Sequence, residues 1–295
     1  AQFMNPQQTP QVVWNLIEGH AQLPQQLKWF DERMIDEALH GADFLVRMQD
    51  PAGFFYMTVF DQWSKDENRR DICEYKTQKG EKFASYQSAY RQGAGSAIAA
   101  LARASQLSRD GESFTRADYL LAASRGFAHL EQHNTEYLDD GRENIIDDYC
   151  ALLAAVELLN VSDDAVYAKA AARRVENLLA RQQPAGWFRA DDAGERSYFH
   201  AAEAGLLYIA LMRFIEVQPE SPLATKAKAA LRLAYQFELS ITADVNNPFG
   251  YPRQYVKHNA LEGNTQFFIP HQNESGYWWQ GENARLGSIV AAAAR

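Results

Sequence analysis

Apolar residues recur at every third or fourth position along most of the chain, which is the spacing of amphipathic helices. In the fifth predicted helix, this apolar stripe consists of Ile145, Ile146, Tyr149, Leu152, Leu153 and Val156. Strand signals are almost absent. The pattern predicts about nine helices, at residues 9–20, 31–49, 85–106, 114–133, 142–159, 163–182, 197–217, 222–241 and 276–294.

Two of these helices start with residues that suit a helix N-terminus. Ser162, Asp163 and Asp164 precede the sixth helix, and their side-chain oxygens can accept bonds from its first N–H groups. Ser221 and Pro222 open the eighth helix, because proline at the first helical position lacks only an N–H that would be unpaired there anyway.

The links between the helices alternate in length. Short links follow the third, fifth and seventh helices, and mostly long links follow the even ones. Short links fit the turns inside antiparallel helical hairpins, so the long links should all emerge at one end of the stack.

Three of the long links begin with a proline, a glycine and an aromatic residue in the same order. They are Pro51-Ala52-Gly53-Phe54, Pro184-Ala185-Gly186-Trp187 and Pro248-Phe249-Gly250-Tyr251. Proline stops the helix and glycine permits the turn. The aromatic residues either plug the core or line a shared mouth, and the sequence leaves both interpretations open.

Repeated helical hairpins with long links at one end predict an all-α fold of the (α/α)6-toroid type. A closed ring of this type needs twelve helices, and the pattern supplies about nine. The expected organisation is a single domain over residues 1–295 that contains part of the ring.

The composition and charge of the chain limit the binding partners that are expected. Apolar residues make up 46% and the formal charge is −9, so a sizeable core is expected and the phosphate backbone of nucleic acid is not an expected partner. The chain has no apolar run long enough to span a membrane. Cys73 and Cys150 are expected to be reduced, as in a cytoplasmic protein. A periplasmic or secreted protein stays open, because residues upstream of Ala1 can be missing.

The segment 267–285 combines consecutive aromatic residues with polar and charged ones. Aromatic rings match the apolar faces of sugars, and carboxylates, amides and guanidinium groups match their hydroxyl rims. Trp278 and Trp279 are predicted to form sugar subsites, with His271 and Glu282 on the hydroxyl rim. The alternative is that the two tryptophans alternate between core and surface. The substrate-binding candidates are Trp63, Arg91, His271, Tyr277, Trp278, Trp279 and Glu282.

The remaining polar motifs favour structural roles. Asp147 and Asp148 are adjacent on a helix and point about 100° apart, so they cannot both face one sugar. Acids also suit the first turn of a helix. His200 and Glu203 lie one turn apart, but no third metal ligand stands out. The sequence therefore predicts neither a metal nor a cofactor.

Several segments resemble glycoside hydrolase family 9. They include residues 12–18 (VVWNLIE), 42–46 (ADFLV), 91–105 (RQGAGSAIAALARAS) and 277–286. The similarity runs along essentially the whole chain and is greatest to bacterial endoglucanase-related proteins, some of which act as exo-glucosaminidases. The resemblance implies an (α/α)6 toroid that cleaves β-1,4 bonds with inversion, using an aspartate as base and a glutamate as acid.

The resemblance also implies that both catalytic carboxylates are missing. The family's base motif lies before the helix at 9–20, and its acid lies beyond residue 295. The expected function is thus a β-1,4 glycosidase domain that is active only in the full-length parent. One alternative is a carbohydrate-binding or scaffold protein. Another is a sugar epimerase that uses paired histidines, which is disfavoured because the histidines mostly lie near helix ends or in links. The sequence does not indicate the oligomeric state.

Overall fold

The structure is a computed structural model. It describes residues 3–4, 9–22, 28–60, 66, 68, 71–72, 74–75, 82–83, 86–138, 140–194, 205–256, 263–268 and 282–295. Within these ranges it contains the nine predicted helices. They are α1 (Thr9–Gln22), α2 (Lys28–Arg47), α3 (Ala94–Ala104), α4 (Arg116–His133), α5 (Ile145–Ser162), α6 (Ala165–Arg181), α7 (Leu206–Val217), α8 (Pro222–Ala243) and α9 (Glu282–Ala294).

Local side-chain chemistry fixes several helix starts. Thr115 accepts a bond from the Asp118 backbone N–H at 3.2 Å, and the Asp118 carboxylate accepts one from the Thr115 backbone N–H at 2.8 Å, which forms a capping box before α4. Ser221 Oγ accepts from the Leu223 N–H at 3.3 Å, and Pro222 is the first residue of α8, as predicted.

The link between α5 and α6 is shorter than the sequence indicated. Helix α5 continues to Ser162, and Asp163 then adopts a left-handed backbone with φ of 51°. Asp164 Oδ1 accepts from the Val166 N–H at 2.9 Å and so caps α6. The predicted capping chemistry is correct, but only Asp163 and Asp164 separate the helices, because aspartate tolerates the left-handed turn.

Helix α3 begins later than predicted. Residues 87–88 are extended, a 3-10 helix covers Tyr90–Gln92, and Gly93 has φ of +112°. The left-handed glycine breaks the helical path, so the regular helix starts at Ala94 rather than at residue 85.

Short antiparallel strands occupy the links and the segment before α1, although the sequence showed almost no strand signal. Each has only two to four residues, too few for a period-two pattern to appear. The pairings are β1–β3–β4, β2–β7, β5–β6 and β8–β9. The strands are β1 (Phe3–Met4), β2 (Phe55–Tyr56), β3 (Val59–Phe60), β4 (Asp71–Ile72), β5 (Glu74–Tyr75), β6 (Lys82–Phe83), β7 (Gln87–Ser88), β8 (Arg253–Val256) and β9 (Asn264–Phe267).

The chain divides into two compact units. Unit 1 comprises residues 1–143 and 153–168, and unit 2 comprises residues 144–152 and 169–295. In unit 1, α3 packs against α1, α2 and α4. Nearly every residue of α3 is buried, because its alanines and glycine let the neighbouring helices approach closely.

In unit 2, α7 packs against α8 and α9. The approach to α9 is close at Gly205, where a Cβ atom would lie 2.0 Å from the Ser288 carbonyl oxygen. The Gly205 N–H also donates to Ser288 Oγ at 2.8 Å. None of the helices in the described ranges has the length and apolarity needed to cross a membrane.

Candidate functional site

Two of the three proline–glycine–aromatic segments form the same turn. In the first turn (residues 50–54), the Gly53 N–H donates to the Asp50 carbonyl at 2.9 Å and φ of Gly53 is +113°. In the second turn (residues 183–187), the Gly186 N–H donates to the Gln183 carbonyl at 2.8 Å and φ is +115°. Both turns therefore require glycine at the same position.

A glutamine before each turn ties it to a neighbouring helix. Gln49 Nε2 donates to the Gly53 carbonyl at 3.1 Å and to the Ala122 carbonyl of α4 at 2.8 Å. Gln182 Nε2 donates to the Gly186 carbonyl at 3.2 Å and to the Ala230 carbonyl of α8 at 2.7 Å. The same clamp thus fixes the turn after α2 in unit 1 and the turn after α6 in unit 2.

The first turn carries a cluster of aromatic rings at the link end of unit 1, here called the ring cluster. Phe54 lies at its centre, with ring centroids 5.4–6.5 Å from those of Tyr56, Tyr86, His129 and Tyr137. Tyr137 belongs to the link after α4, so the links after α2 and α4 meet here. That confirms, within unit 1, the prediction that long links lie at the same end.

Polar groups border the ring cluster. The Tyr56 hydroxyl donates to Asp50 at 2.5 Å, which raises the pKa of Tyr56 to about 12 and lowers the pKa of Asp50. His129 Nε2 lies 2.6 Å from the Tyr137 hydroxyl. Burial, together with the nearby His133, lowers the pKa of His129 below its usual value, so its imidazole is neutral at pH 7.

Arg91 lies beside the link after α4. Its guanidinium donates to Asp140 at 3.1 Å and to the Arg142 carbonyl at 3.2 Å, and its side chain is 16% exposed. The exposed edge of this ion pair offers both a donor and an acceptor. Of the seven predicted substrate-binding residues, Arg91 alone has a described side chain.

Unit 2 carries aromatic contacts next to its second turn. Trp187 lies 5.3 Å from Tyr255 of β8, and Tyr255 lies 5.5 Å edge-on to Phe237 of α8. Trp187 comes from the link after α6 and Tyr255 from the link after α8. The same arrangement of neighbouring links thus occurs within unit 2.

The fully buried carboxylates described in unit 1 accept hydrogen bonds from side chains of the core. Asp43 accepts the Tyr119 hydroxyl at 2.5 Å. Glu157 accepts the Trp14 indole N–H at 2.9 Å and a weaker bond from Arg103 at 3.4 Å. A carboxylate held by such bonds deep in a core cannot meet a sugar or a water.

The fully buried carboxylates of unit 2 are likewise structural. Asp148 is 1% exposed and accepts bonds from Arg174, Asn177 and Arg181 at 2.9–3.1 Å. Asp147 accepts a backbone N–H at the start of α5 at 3.0 Å. These contacts support the structural interpretation of both aspartates.

The other predicted candidates lie outside the described residues. They are Trp63, His271, Tyr277, Trp278 and Trp279, together with the side chain of Glu282 and the pair His200 and Glu203. In the described residues, no three histidine, cysteine, aspartate or glutamate side chains are grouped as a metal site would require.

The ring cluster was missed from the sequence, apart from Phe54. A signal was present, because His129, His133 and Tyr137 are spaced four residues apart and so lie along one side of a continuing helix. The rings of His129 and His133 lie 4.6 Å apart, and those of His129 and Tyr137 are nearly parallel.

The sequence matches the profile of glycosyl hydrolase family 9 over residues 7–277. No curated protein sequence matches the chain.

Several solved structures share the fold. A sugar epimerase from a ruminal bacterium has a TM-score of 0.60 at 13% identity, covering 89% of this chain and 66% of its own. An endoglucanase from Alicyclobacillus acidocaldarius has a TM-score of 0.53 at 16% identity, with coverage of 84% and 46%. The family 9 endoglucanase J30 has a TM-score of 0.51 at 21% identity, with coverage of 84% and 46%.

At these identities the similarity shows the fold alone. It confirms the prediction of an all-α, (α/α)6-toroid type built of helical hairpins. The chain spans 46–66% of the length of these three solved structures.

Proposed function

The chain belongs to glycosyl hydrolase family 9, and on this premise we propose that it is the substrate-binding part of a glycosidase acting on β-1,4-linked oligosaccharides. The match over residues 7–277 carries this proposal. The substrates are of the cello- or chitosan type, and the longer parent protein hydrolyses them with inversion. Residues 1–295 form one domain of that parent.

The link end of unit 1 supports a carbohydrate ligand. Its rings offer apolar faces, and the Tyr56 and Tyr137 hydroxyls and the Asp50 carboxylate border them. Sugars present the complementary surface, an apolar C–H face with a rim of hydroxyls. The residues proposed to bind sugar in unit 2 are Trp278 and Trp279 as stacking rings, with Tyr277, and His271 and Glu282 for the hydroxyl rim. Trp63 and Arg91 are the substrate-binding residues proposed in unit 1.

Hydrolysis needs carboxylates from outside residues 1–295. Inversion uses an acid and a base whose carboxyl groups stand roughly 6.5–9.5 Å apart around a water. Among the described residues, the fully buried carboxylates are Asp43, Asp147, Asp148 and Glu157, and all four are held by structural partners. On the family resemblance, which implies that both catalytic carboxylates lie outside residues 1–295, we expect these residues alone to bind oligosaccharides without cleaving them.

The binding part of the proposal is tested by Trp278→Ala. If its ring stacks on a sugar, the substitution weakens oligosaccharide binding by roughly 1–3 kcal/mol in calorimetric titration. Trp29→Ala is the matched control, because Trp29 is a 64% exposed ring at the start of α2 and should leave affinity unchanged. Unchanged affinity in a folded Trp278→Ala protein removes Trp278 from the site.

The catalytic part is tested on the longer parent. NMR of freshly cleaved cello- or chitosan-oligosaccharides should show the α-anomer first, because inversion of a β bond gives it. Initial release of the β-anomer would rule out inversion. Turnover by residues 1–295 alone would show that a carboxylate pair lies within this chain.

A sugar epimerase is the second candidate, favoured by the neighbouring rings of His129 and His133. Epimerisation moves a proton at carbon, and a neutral imidazole can accept it. The discriminating measurement is NMR of reducing disaccharides incubated with the chain. A new epimer that disappears in His129→Gln supports epimerisation, and its absence leaves the glycosidase assignment.

A further inference from the structure

The third proline–glycine–aromatic segment forms a turn on the same plan as the first two. In this third turn (residues 247–251), the Gly250 N–H donates to the Asn247 carbonyl at 3.0 Å, and φ of Gly250 is +64°. The same bond closes the first and second turns at Gly53 and Gly186. The three turns thus share this bond and the order of proline, glycine and aromatic residue, although φ of Gly250 differs from the +113° and +115° of the first two turns. Their side chains can be compared position by position.

The third turn differs at the residue after proline. The first and second turns carry alanine there, at Ala52 and Ala185, whereas the third carries Phe249. Phe249 is 84% exposed, the largest exposed fraction among the large apolar residues of the described ranges, and Tyr251 is 56% exposed. The turn does not need an aromatic ring at this position to form.

The exposure of Phe249 follows from the turn itself. Gly53 and Gly186 lie close against helices, with a Cβ atom at Gly53 3.0 Å from His129 and one at Gly186 2.5 Å from the Leu233 carbonyl. Ala52 and Ala185 are nevertheless exposed. The position therefore points outward whether or not a helix packs on the turn.

The side chain of Asn247 fixes the backbone of the third turn. Asn247 Nδ2 donates to the Tyr251 carbonyl at 2.8 Å and to the Thr242 carbonyl at 3.3 Å, and Asn247 Oδ1 accepts the Tyr251 N–H at 3.1 Å. The ring centroids of Phe249 and Tyr251 lie 6.1 Å apart with planes inclined at 54°. A fixed backbone lowers the entropy that the turn loses when a ligand binds.

We propose that Phe249 and Tyr251 form a binding platform for the pyranose rings of a cellulose- or chitosan-type polymer. Exposed aromatic rings on a fixed turn match the apolar faces of sugars. The choice of a sugar rather than another apolar partner rests on the proposed carbohydrate substrate. The phenol of Tyr251 adds a hydroxyl that can bond to the sugar rim.

The test is native affinity electrophoresis of the full chain in gels containing soluble cellulose or chitosan derivatives. Phe249→Ala and Tyr251→Ala should each weaken retardation, and the double variant should lose about tenfold in affinity for the polymer. Phe249→Trp should retain binding, because it keeps an aromatic face. The control is Trp29→Ala with Phe30→Ala, which removes another exposed ring pair, located on α2, and should change nothing.

Calorimetry with short oligosaccharides separates this inference from the proposed function. If wild-type protein binds oligosaccharides but the double variant is retarded as strongly as wild type, only the platform is overturned. If wild-type protein binds neither polymer nor oligosaccharide, the carbohydrate assignment fails as well. Analytical ultracentrifugation tests whether a second copy of the chain covers the two rings instead. If the wild-type protein self-associates and the double variant does not, while polymer binding is unchanged, the proposed polymer-binding platform is overturned.

Discussion

Replacing Asp148 by asparagine should cost more stability than any exposed charge change in this protein. Asp148 is 1% exposed, and its two oxygens accept from Arg174 at 3.1 Å and from Arg181 at 3.1 Å. Asn177 donates a third bond at 2.9 Å. Arg174 and Arg181 are themselves 4% and 8% exposed.

The expected loss of stability follows from the buried groups that lose their partner in Asp148→Asn. Asparagine keeps the shape of aspartate, but it has no charge, and one of its two polar ends is a donor that would face another donor. Arg174 and Arg181 would lose the buried anion between them, and Arg181 would keep its exposed partner Asp192 at 3.2 Å. Removing one member of a buried ion pair costs about 3–5 kcal/mol, because the remaining charge is no longer compensated.

Urea denaturation followed by circular dichroism measures the change. The matched control is Asp36→Asn, which removes an exposed pair with Arg109 in which both side chains are at least half exposed. That pair should contribute less than about 1 kcal/mol. Equal free energies of unfolding for wild type and Asp148→Asn would refute the structural assignment of Asp148.

Two further predictions concern the turns and the ring cluster. Gly186→Ala should destabilise the fold by roughly 2–4 kcal/mol, because φ is +115° and the new Cβ would lie 2.5 Å from the Leu233 carbonyl. Gly250→Ala should cost only the left-handed strain of about 1–2 kcal/mol, since no atom lies within 4 Å of its Cβ position. Equal losses of unfolding free energy in urea denaturation would contradict the packing at Gly186. The pKa of His129 is lowered in the folded protein, so the unfolded chain binds a proton more readily. The contribution of His129 to the free energy of unfolding is therefore full above pH 6.5, its usual pKa, and is lost as the pH falls below that value. His129→Gln should flatten this part of the stability profile between pH 7 and pH 5, and an unchanged profile would show that His129 does not titrate this way.

Much of the fold was predictable because helical periodicity acts over a few residues. The stripe in α5, the serine before α8 and the alternation of short and long links are all local signals. Errors arose where one residue redirects the backbone. Gly93 delays α3, and Asp163 shortens the link before α6, through positive φ values that hydrophobic spacing does not encode.

The ring cluster was harder to predict because its members come from separate segments. Phe54, Tyr86, His129 and Tyr137 become neighbours only when the links after α2 and α4 meet. The repeated turn was visible in the sequence, but its glutamine clamps were not, because Gln49 reaches a carbonyl of α4 that lies far along the chain. The substrate-binding residues predicted from the sequence stay a prediction, because only Arg91 among them has a described side chain.

Calorimetric titration of residues 1–295 with cello- and chitosan-oligosaccharides, with a reducing-end assay on the same samples, tests the assignment of a carbohydrate-binding glycosidase domain most directly. Saturable heat of binding without new reducing ends is the expected result. A correctly folded chain that gives no heat with either series, at concentrations well above those of ordinary glycosidase substrates, would contradict it.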